Sequence, residues 1–156
     1  MKRKIITTSD GSKTIQIEDW NEQYHSIHGA IQEANHVFIK HGLLFYFQSC
    51  HPELVSGPNS ICILEIGFGT GLNAFLTYLK VEELQQPINY VGVEAYPVKS
   101  EEIAQLNYVE LISENHFSEI ICPRINFRAP NRKIIHSISL KSLDSFYFSN
   151  HDFKSF

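Results

Sequence analysis

Residues 61–73 read Ile61-Cys62-Ile63-Leu64-Glu65-Ile66-Gly67-Phe68-Gly69-Thr70-Gly71-Leu72-Asn73. The apolar run, broken only by Glu65, predicts a strand that is buried on both faces. The glycines at every second position then predict a tight turn with positive φ angles, where a ligand can approach the backbone closely. A helix that starts directly after the turn would direct its N–H groups and its positive dipole end at that ligand. The stretch therefore predicts a site for a nucleotide-like cofactor.

The segments after the turn alternate between helix and strand. Apolar residues at helical spacing predict a helix that ends before Pro87, and they are Leu72, Phe75, Leu76 and Leu79. Ile88–Glu94 predicts a second strand, Ser100 is a candidate N-cap for a helix that runs towards Phe117, and Ile134–Leu140 predicts a third strand. This βαβαβ order is typical of the first half of a doubly wound parallel sheet, so the expected fold class is α/β.

The residues before this half predict an N-terminal extension. The turn signal Asp10-Gly11-Ser12 and the alternation over residues 13–18 predict a short β-hairpin. A helix after Gly29 is expected to end at Gly42, with a shared face formed by Ala30, Ala34, Val37, Phe38 and His41. We expect one domain over residues 1–156, with the extension and a surface loop in residues 1–60 and the βαβαβ half in residues 61–156.

Composition limits the class of protein. The 156 residues, 43% of them hydrophobic, suffice for one core, and a formal net charge of −4 provides no global basic field for nucleic acid. Neither a signal peptide nor an apolar run of about 18 residues is found in the sequence, so we expect a cytoplasmic protein without a membrane segment. Cys50, Cys62 and Cys122 form no C-x-x-C pair and are interpreted as reduced thiols, with Cys62 in the core.

Three kinds of nucleotide site compete for the glycine turn. A P-loop needs Lys and then Ser or Thr after the last glycine, whereas Leu72-Asn73 follows here. A dinucleotide site has the spacing G-x-G-x-x-G, whereas this turn has G-x-G-x-G. Glu65 would repel a pyrophosphate but suits a ligand that carries an ammonium group. The pattern therefore favours S-adenosylmethionine, which has an ammonium, a sulfonium and no phosphate.

Further cofactor contacts are expected at the end of the second strand. Glu94 lies where an acid that binds ribose hydroxyls is expected, and Ala95, Tyr96 and Pro97 are candidates for the wall of an adenine pocket. Asn73 either contacts the cofactor or bonds within the turn.

Two other groups of residues were weighed as sites. His25, His28, His36 and His41 lack a matching set of acids or cysteines, so they are interpreted as polar surface and packing residues, and no metal site is predicted. Arg124, Arg128, Arg132 and Lys133 are typical of a solvated loop and are also the best local candidates for contacts with a phosphate backbone.

The glycine stretch, residues 24–33 (Tyr-His-Ser-Ile-His-Gly-Ala-Ile-Gln-Glu), residues 36–39 and the segment Val93-Glu94-Ala95-Tyr96-Pro97 together resemble a known family. It is the methyltransferase domain that makes 5-methylaminomethyl-2-thiouridine at the tRNA wobble position. The resemblance runs from about residue 2 to about residue 148. It implies a class I, Rossmann-like fold and methyl transfer from S-adenosylmethionine to the amine of 5-aminomethyl-uridine in tRNA.

The resemblance also implies site residues. The cofactor-binding residues would be Glu33, Glu65, Gly67, Gly69, Gly71 and Glu94, with Tyr24 near the pocket mouth. Some family members carry a fused FAD-dependent oxidase that acts on a CH–NH group; this chain has no second dinucleotide motif and resembles the stand-alone kind.

One difference from the family concerns the end of the chain. The family continues into a fourth strand with an Asp-Ala-Phe type motif that lines the acceptor side, and nothing here matches it. We therefore expect the chain to form an N-terminal part of the fold with an exposed sheet edge. Such a chain should be unstable, aggregate or pair with itself. No residue is assigned as catalytic base. The alternatives are an inactive cofactor-binding fragment or assembly module, and an NAD-dependent oxidoreductase.

Overall fold

The computed structural model describes residues 1–49, 61–84, 87–116, 134–140 and 146–151. The strands are β1 (Arg3–Thr7), β2 (Lys13–Ile17), β3 (Glu22–Gln23), β4 (Ile61–Ile66), β5 (Ile88–Glu94), β6 (Ile134–Leu140) and β7 (Phe146–His151). The helices are α1 (Ala30–Glu33), a π-helical segment (Ala34–Leu44), α2 (Phe45–Ser49), α3 (Leu72–Leu84), α4 (Ser100–Ile103) and α5 (Tyr108–His116). The described part is thus a mixed α/β structure, as predicted.

The chain divides into two units. The first comprises Met1–Glu33 and Val98–Pro130, and the second comprises Ala34–Pro97 and Asn131–Phe156. The expectation of one domain with a division at residue 60 stays a prediction.

The first unit contains the predicted hairpin. β1 and β2 pair antiparallel, with Ile5 opposite Ile15, and Gly11 adopts a φ of 84° in the connecting turn. The hairpin prediction is confirmed. β3, which pairs with β2 to complete a sheet in the order β1-β2-β3, was not predicted because two residues leave no periodic signal.

Asp10 joins this hairpin turn to the start of α1. Its Oδ1 accepts hydrogen bonds from the Thr8 hydroxyl at 2.7 Å and the Ser12 N–H at 3.0 Å, and its Oδ2 accepts one from the Gln32 N–H at 3.0 Å. Burial opposes the charge, but these hydrogen bonds outweigh it and hold the pKa of Asp10 below its ordinary value. A Cβ on Gly29 would lie 2.6 Å from Asp10 Oδ2, so a side chain there would displace the carboxylate.

The helix predicted from Ser100 towards Phe117 is interrupted, which corrects that prediction. α4 ends at Ile103 and α5 starts at Tyr108. Between them, the Asn107 side chain accepts a hydrogen bond from the Lys13 N–H at 2.8 Å and donates one to the Gly11 carbonyl at 3.0 Å. Asn107 bonds to the hairpin backbone, which competes with continuous helix. The N-cap is Lys99, not Ser100, and Glu102 Oε2 accepts the Lys99 N–H at 2.8 Å.

The predicted helix after Gly29 extends further than expected and has a different face. The prediction that it ends at Gly42 is wrong, because helical structure continues to Ser49. Val37 is 60% exposed and His41 is exposed, whereas the buried residues are Ala30, Ala34, Ile39 and Leu43. A π-helix has more residues per turn than an α-helix, so the buried positions shift beyond the α-helical spacing.

The second unit contains a sheet in the order β4-β5-β6-β7. β4 and β5 are parallel, with Glu65 opposite Gly92 and Ile63 opposite Tyr90. The prediction of a third strand at Ile134–Leu140 is correct in position but wrong in direction, because β6 runs antiparallel to β5. The alternating pattern of a strand fits either direction of pairing, so it could not predict this one. β7, antiparallel to β6, was not predicted.

β4 is the end strand of this sheet within the described residues and has one exposed face. Its residues alternate between half-buried and exposed, with Cys62 exposed, Leu64 66% exposed and Ile66 75% exposed. The predictions of a strand buried on both faces and of Cys62 in the core are therefore wrong. A parallel strand is covered on both faces only where elements pack on both.

The opposite face of the β4–β5 pair forms the core with α3. On β5 the inward residues are buried, including Ile88 and Tyr90, both fully inaccessible. α3 packs against β5 and the π-helical segment. Of its predicted apolar stripe, Leu72 and Leu76 are buried, whereas Phe75 and Leu79 are half-buried. The inward face at the carboxyl end of these strands is where the candidate site lies.

Candidate functional site

The glycine turn between β4 and α3 has the predicted backbone conformation. The φ angles are 85° at Gly67, 55° at Gly69 and 76° at Gly71, values that residues with a side chain rarely adopt. The Gly71 N–H donates to the Phe68 carbonyl at 2.9 Å and closes the turn. The predicted strand, turn and helix are confirmed.

The turn uses its N–H groups internally. Those of Gly67 and Phe68 both donate to the Val93 carbonyl, at 2.8 and 3.1 Å, and that of Gly69 donates to Glu94 Oε2 at 2.8 Å. A phosphate cradle presents such groups to the ligand instead. The N–H groups of Gly67, Phe68 and Gly69 are therefore not available to a phosphate.

Glu94 ties the end of β5 to the turn. Besides the Gly69 N–H, its carboxylate accepts the Tyr96 N–H at Oε1, at 2.8 Å, and the residue is only 9% exposed. The prediction that Glu94 ends the second strand is confirmed. Its contact with ribose stays a prediction.

Glu65 is a half-buried carboxylate with a donor on each oxygen. Oε1 accepts the Asn73 side-chain N–H at 2.8 Å, and Oε2 accepts the Tyr90 hydroxyl at 2.8 Å. Burial raises the pKa of Glu65, and the charge of Glu94 raises it further, while the two hydrogen bonds act in the opposite direction. Asn73 thus bonds across the turn to Glu65, and its own contact with a cofactor stays a prediction.

Tyr90 is a site residue that sequence reasoning missed. It is fully buried on β5, and its ring lies 6.3 Å from that of Phe38, centroid to centroid. Burial raises the pKa of its phenol, as do the charge of Glu65 and the hydrogen bond to it, so it stays protonated and donates. A tyrosine at an inward position of a strand signals that its hydroxyl needs a buried polar partner.

Gly92 was also missed. A Cβ at this position would lie 2.0 Å from Phe68 Cδ2, so the buried Phe68 ring takes the place of a side chain between Tyr90 and Glu94 along β5. An isolated glycine inside a strand pattern is the available signal for such a close approach.

Two predicted cofactor residues belong to the first unit. Glu33 Oε2 accepts the Ser26 N–H at 2.7 Å and lies 3.8 Å from His25 Nδ1. Burial lowers the pKa of His25, although the Glu33 charge opposes the shift. Tyr24 lies under the Arg3 guanidinium, 5.8 Å from ring centroid to Cζ. Their roles in cofactor binding stay predictions.

The remaining predictions concern exposed or undescribed residues. Ala95 is exposed and Tyr96 is 57% exposed, and their place in an adenine pocket stays a prediction. The described residues hold no group of three or more His, Cys, Asp or Glu side chains that could bind a metal ion. The proposed phosphate contacts Arg124, Arg128, Arg132 and Lys133, and the thiols Cys50 and Cys122, lie outside the described residues.

No helix in the described ranges has both the length and the apolar character that crossing a membrane requires.

Comparison with known proteins identifies relatives. The chain is 32% identical over 91 residues to the tRNA 5-methylaminomethyl-2-thiouridine biosynthesis bifunctional protein MnmC of Leptospira interrogans, which is 56% of this chain and 13% of that protein. It is 30% identical over 120 residues to the protein of the same name from Hydrogenovibrio crunogenus, which is 72% of this chain and 16% of that protein. The alignments thus span about one seventh of these relatives. No protein-family model matches.

A solved structure is also similar to this chain. MnmC2 from Aquifex aeolicus superposes with a TM-score of 0.52 and 27% sequence identity, over 64% of this chain and 31% of that one. Sequence and structure thus confirm the resemblance to this family.

Proposed function

We propose that this chain provides the cofactor site for modification of a wobble uridine in tRNA, because it is related to one segment of the MnmC proteins. The specific step is methyl transfer from S-adenosylmethionine to the amine of 5-aminomethyl-uridine or its 2-thio form. A tRNA partner and a cytoplasmic location belong to the same proposal. The fold is proposed to be the N-terminal part of the class I, Rossmann-like methyltransferase fold.

One observation supports this cofactor above the others: the Glu65 carboxylate lies just before the turn, and three N–H groups of the turn are used within the protein. Gly67, Phe68 and Gly69 donate within the protein, and the charge of Glu65 would oppose a pyrophosphate. A ligand with cationic groups and no phosphate fits these residues. NAD, with two phosphates, does not fit them.

Each residue then has a proposed role. Glu65, half-buried and paired only with neutral donors among the described residues, would bind the ammonium group of the cofactor. Glu94 would bind the ribose hydroxyls through lone pairs that its two backbone donors leave available. The other proposed cofactor contacts are Tyr24, Glu33, Gly67, Gly69, Gly71, Asn73 and Ala95.

The chemistry is an in-line displacement at a methyl group. When bound, the sulfonium supplies an electrophilic methyl, and the acceptor amine must be neutral to attack it. The described residues contribute binding and orientation: the glycine turn allows close approach, Glu65 would hold the amino-acid part of the cofactor, and Glu94 would hold its ribose. No catalytic base is assigned.

Calorimetric titration of the 156-residue chain with S-adenosylmethionine, S-adenosylhomocysteine and NAD tests the proposal. We expect binding of the first two and none of NAD. Glu65→Gln should weaken the binding of S-adenosylmethionine and S-adenosylhomocysteine. Glu101→Gln, which removes an exposed carboxylate of the other unit, should leave their binding unchanged. Binding of NAD in preference to the sulfur ligands would contradict the proposal.

A second candidate is a module that binds the cofactor or a partner without turnover and associates through β4. The exposed Leu64 and Ile66 on an end strand favour it. An assay of methyl incorporation into aminomethyl-uridine tRNA separates the two: incorporation supports the enzyme, and cofactor binding without incorporation supports the module.

A further inference from the structure

The Glu65 carboxylate is fixed by two elements at once. Asn73, in the first turn of α3, holds one oxygen, and Tyr90, in the middle of β5, holds the other, each at 2.8 Å. Tyr90 has no accessible surface and so little freedom to move. The carboxylate is therefore held in one orientation.

Within the part of the chain that the structure describes, no cation neutralises this carboxylate. Among the described residues Glu65 forms no ion pair, and both of its donors are uncharged. In the described ranges, the titratable groups that act on it are Tyr90 and Glu94 on β5, and α3 contributes the neutral Asn73. A half-buried carboxylate beside a second one is costly, and a bound cation would relieve that cost.

We propose that Tyr90 and Asn73 are positioning residues that orient the Glu65 carboxylate towards the ammonium group of the amino-acid part of the ligand. This inference rests on the proposed function. It assigns the orientation of the Glu65 carboxylate to the hydroxyl of Tyr90 and not to its ring. Phenylalanine would fill the same space and lose only the hydrogen bond to Glu65.

Three probes separate positioning from packing. S-adenosylmethionine and S-adenosylhomocysteine both carry the ammonium group, and adenosine lacks it. Tyr90→Phe should lower the affinity for the first two about tenfold, the effect of one hydrogen bond to a charged group, and leave adenosine affinity unchanged. Asn73→Ala should give the same pattern through the other oxygen. Tyr78→Phe is the matched control, because Tyr78 is a buried tyrosine of the same unit that is not a partner of Glu65.

The pH profile provides a second readout. Because the Tyr90 hydrogen bond lowers the pKa of Glu65, its removal makes Glu65 easier to protonate. The loss of S-adenosylmethionine affinity on the acid side should therefore begin at a higher pH in Tyr90→Phe than in the wild type. Glu65→Gln should abolish that part of the profile.

The outcomes distinguish this inference from the proposed function. Wild-type chain that binds neither sulfur ligand overturns both. Wild-type binding together with an unchanged affinity and pH profile in Tyr90→Phe overturns the positioning role alone. Equal losses for all three probes would assign Tyr90 to packing and also overturn it. If Tyr90→Phe fails to fold, Asn73→Ala decides by the same criteria.

Discussion

The ring of Phe68 occupies the space above Gly92: a Cβ built on Gly92 would come within 2.0 Å of Phe68 Cδ2. The turn after β4 is thereby locked onto the middle of β5. Glu65 lies opposite Gly92 in the strand register, so the same contact sets the surroundings of the candidate site.

We expect Gly92→Ala to displace Phe68 and destabilise the second unit by about 1 to 3 kcal/mol, as overpacking does. Thermal denaturation measures this effect. Gly42→Ala is the matched control, because a Cβ there meets only the Val37 carbonyl, at an ordinary 3.6 Å. A helical alanine should be neutral or stabilising. Equal melting temperatures for Gly92→Ala and the wild type would contradict the contact.

Glu65 should make stability depend on pH. Its pKa is raised above the ordinary 4.5, so folding favours the protonated form. The contribution of protonated Glu65 to folding stability is fully present below pH 4.5 and is lost as the pH rises through the folded pKa. We therefore expect Glu65→Gln to gain stability relative to the wild type as the pH rises. Urea denaturation across this range measures the difference, and a constant difference would refute the prediction.

Asp10 should have the opposite dependence. Its pKa is lowered below the ordinary 3.8, so its contribution is present above 3.8 and lost as the pH falls through the folded pKa. Asp10→Ala should cost about 1 to 2 kcal/mol at neutral pH, the effect of losing a helix cap. Asp10→Asn, which keeps one acceptor oxygen, should cost less. If both variants match the wild type in urea denaturation, the bonds to Thr8, Ser12 and Gln32 do not stabilise the turn.

The exposed face of β4 should govern self-association. Leu64→Lys and Ile66→Lys place charges on solvent-exposed positions, so we expect less self-association without loss of thermal stability. Leu76→Lys, at a buried position of α3, should unfold the unit. Sedimentation velocity measures association, and no change between wild type and the β4 variants would exclude this face as the contact.

The sequence predicts the glycine turn well because positive φ angles demand glycine, and it locates Glu94 because strands end where their apolar pattern ends. Tyr90 and Gly92 are harder to recognise, since their importance depends on a neighbour 25 residues away for the Tyr90 hydroxyl and on a turn residue for Gly92.

Each error in the predicted fold has an identifiable physical origin. Periodicity assumes an α-helix, so it assigns Val37 and His41 to a face that the π-helical segment exposes. Strand patterns carry no direction, so β6 was expected to be parallel. The helix break at Asn107 depends on contacts with a hairpin distant in sequence. The last two are tertiary effects that local patterns cannot encode.

The position of β4 also has a consequence for its backbone amides. Ile61 and Gly67 donate to Pro87 and Val93 on the β5 side, and the parallel ladder repeats this at every second residue. The amides of Leu64 and Ile66 point the other way, where no strand of the described residues pairs with them. In deuterated water the amides of Leu64 and Ile66 should therefore exchange faster than those of Ile63 and Glu65. A binding partner that adds a strand beside β4 would slow the exchange of the Leu64 and Ile66 amides.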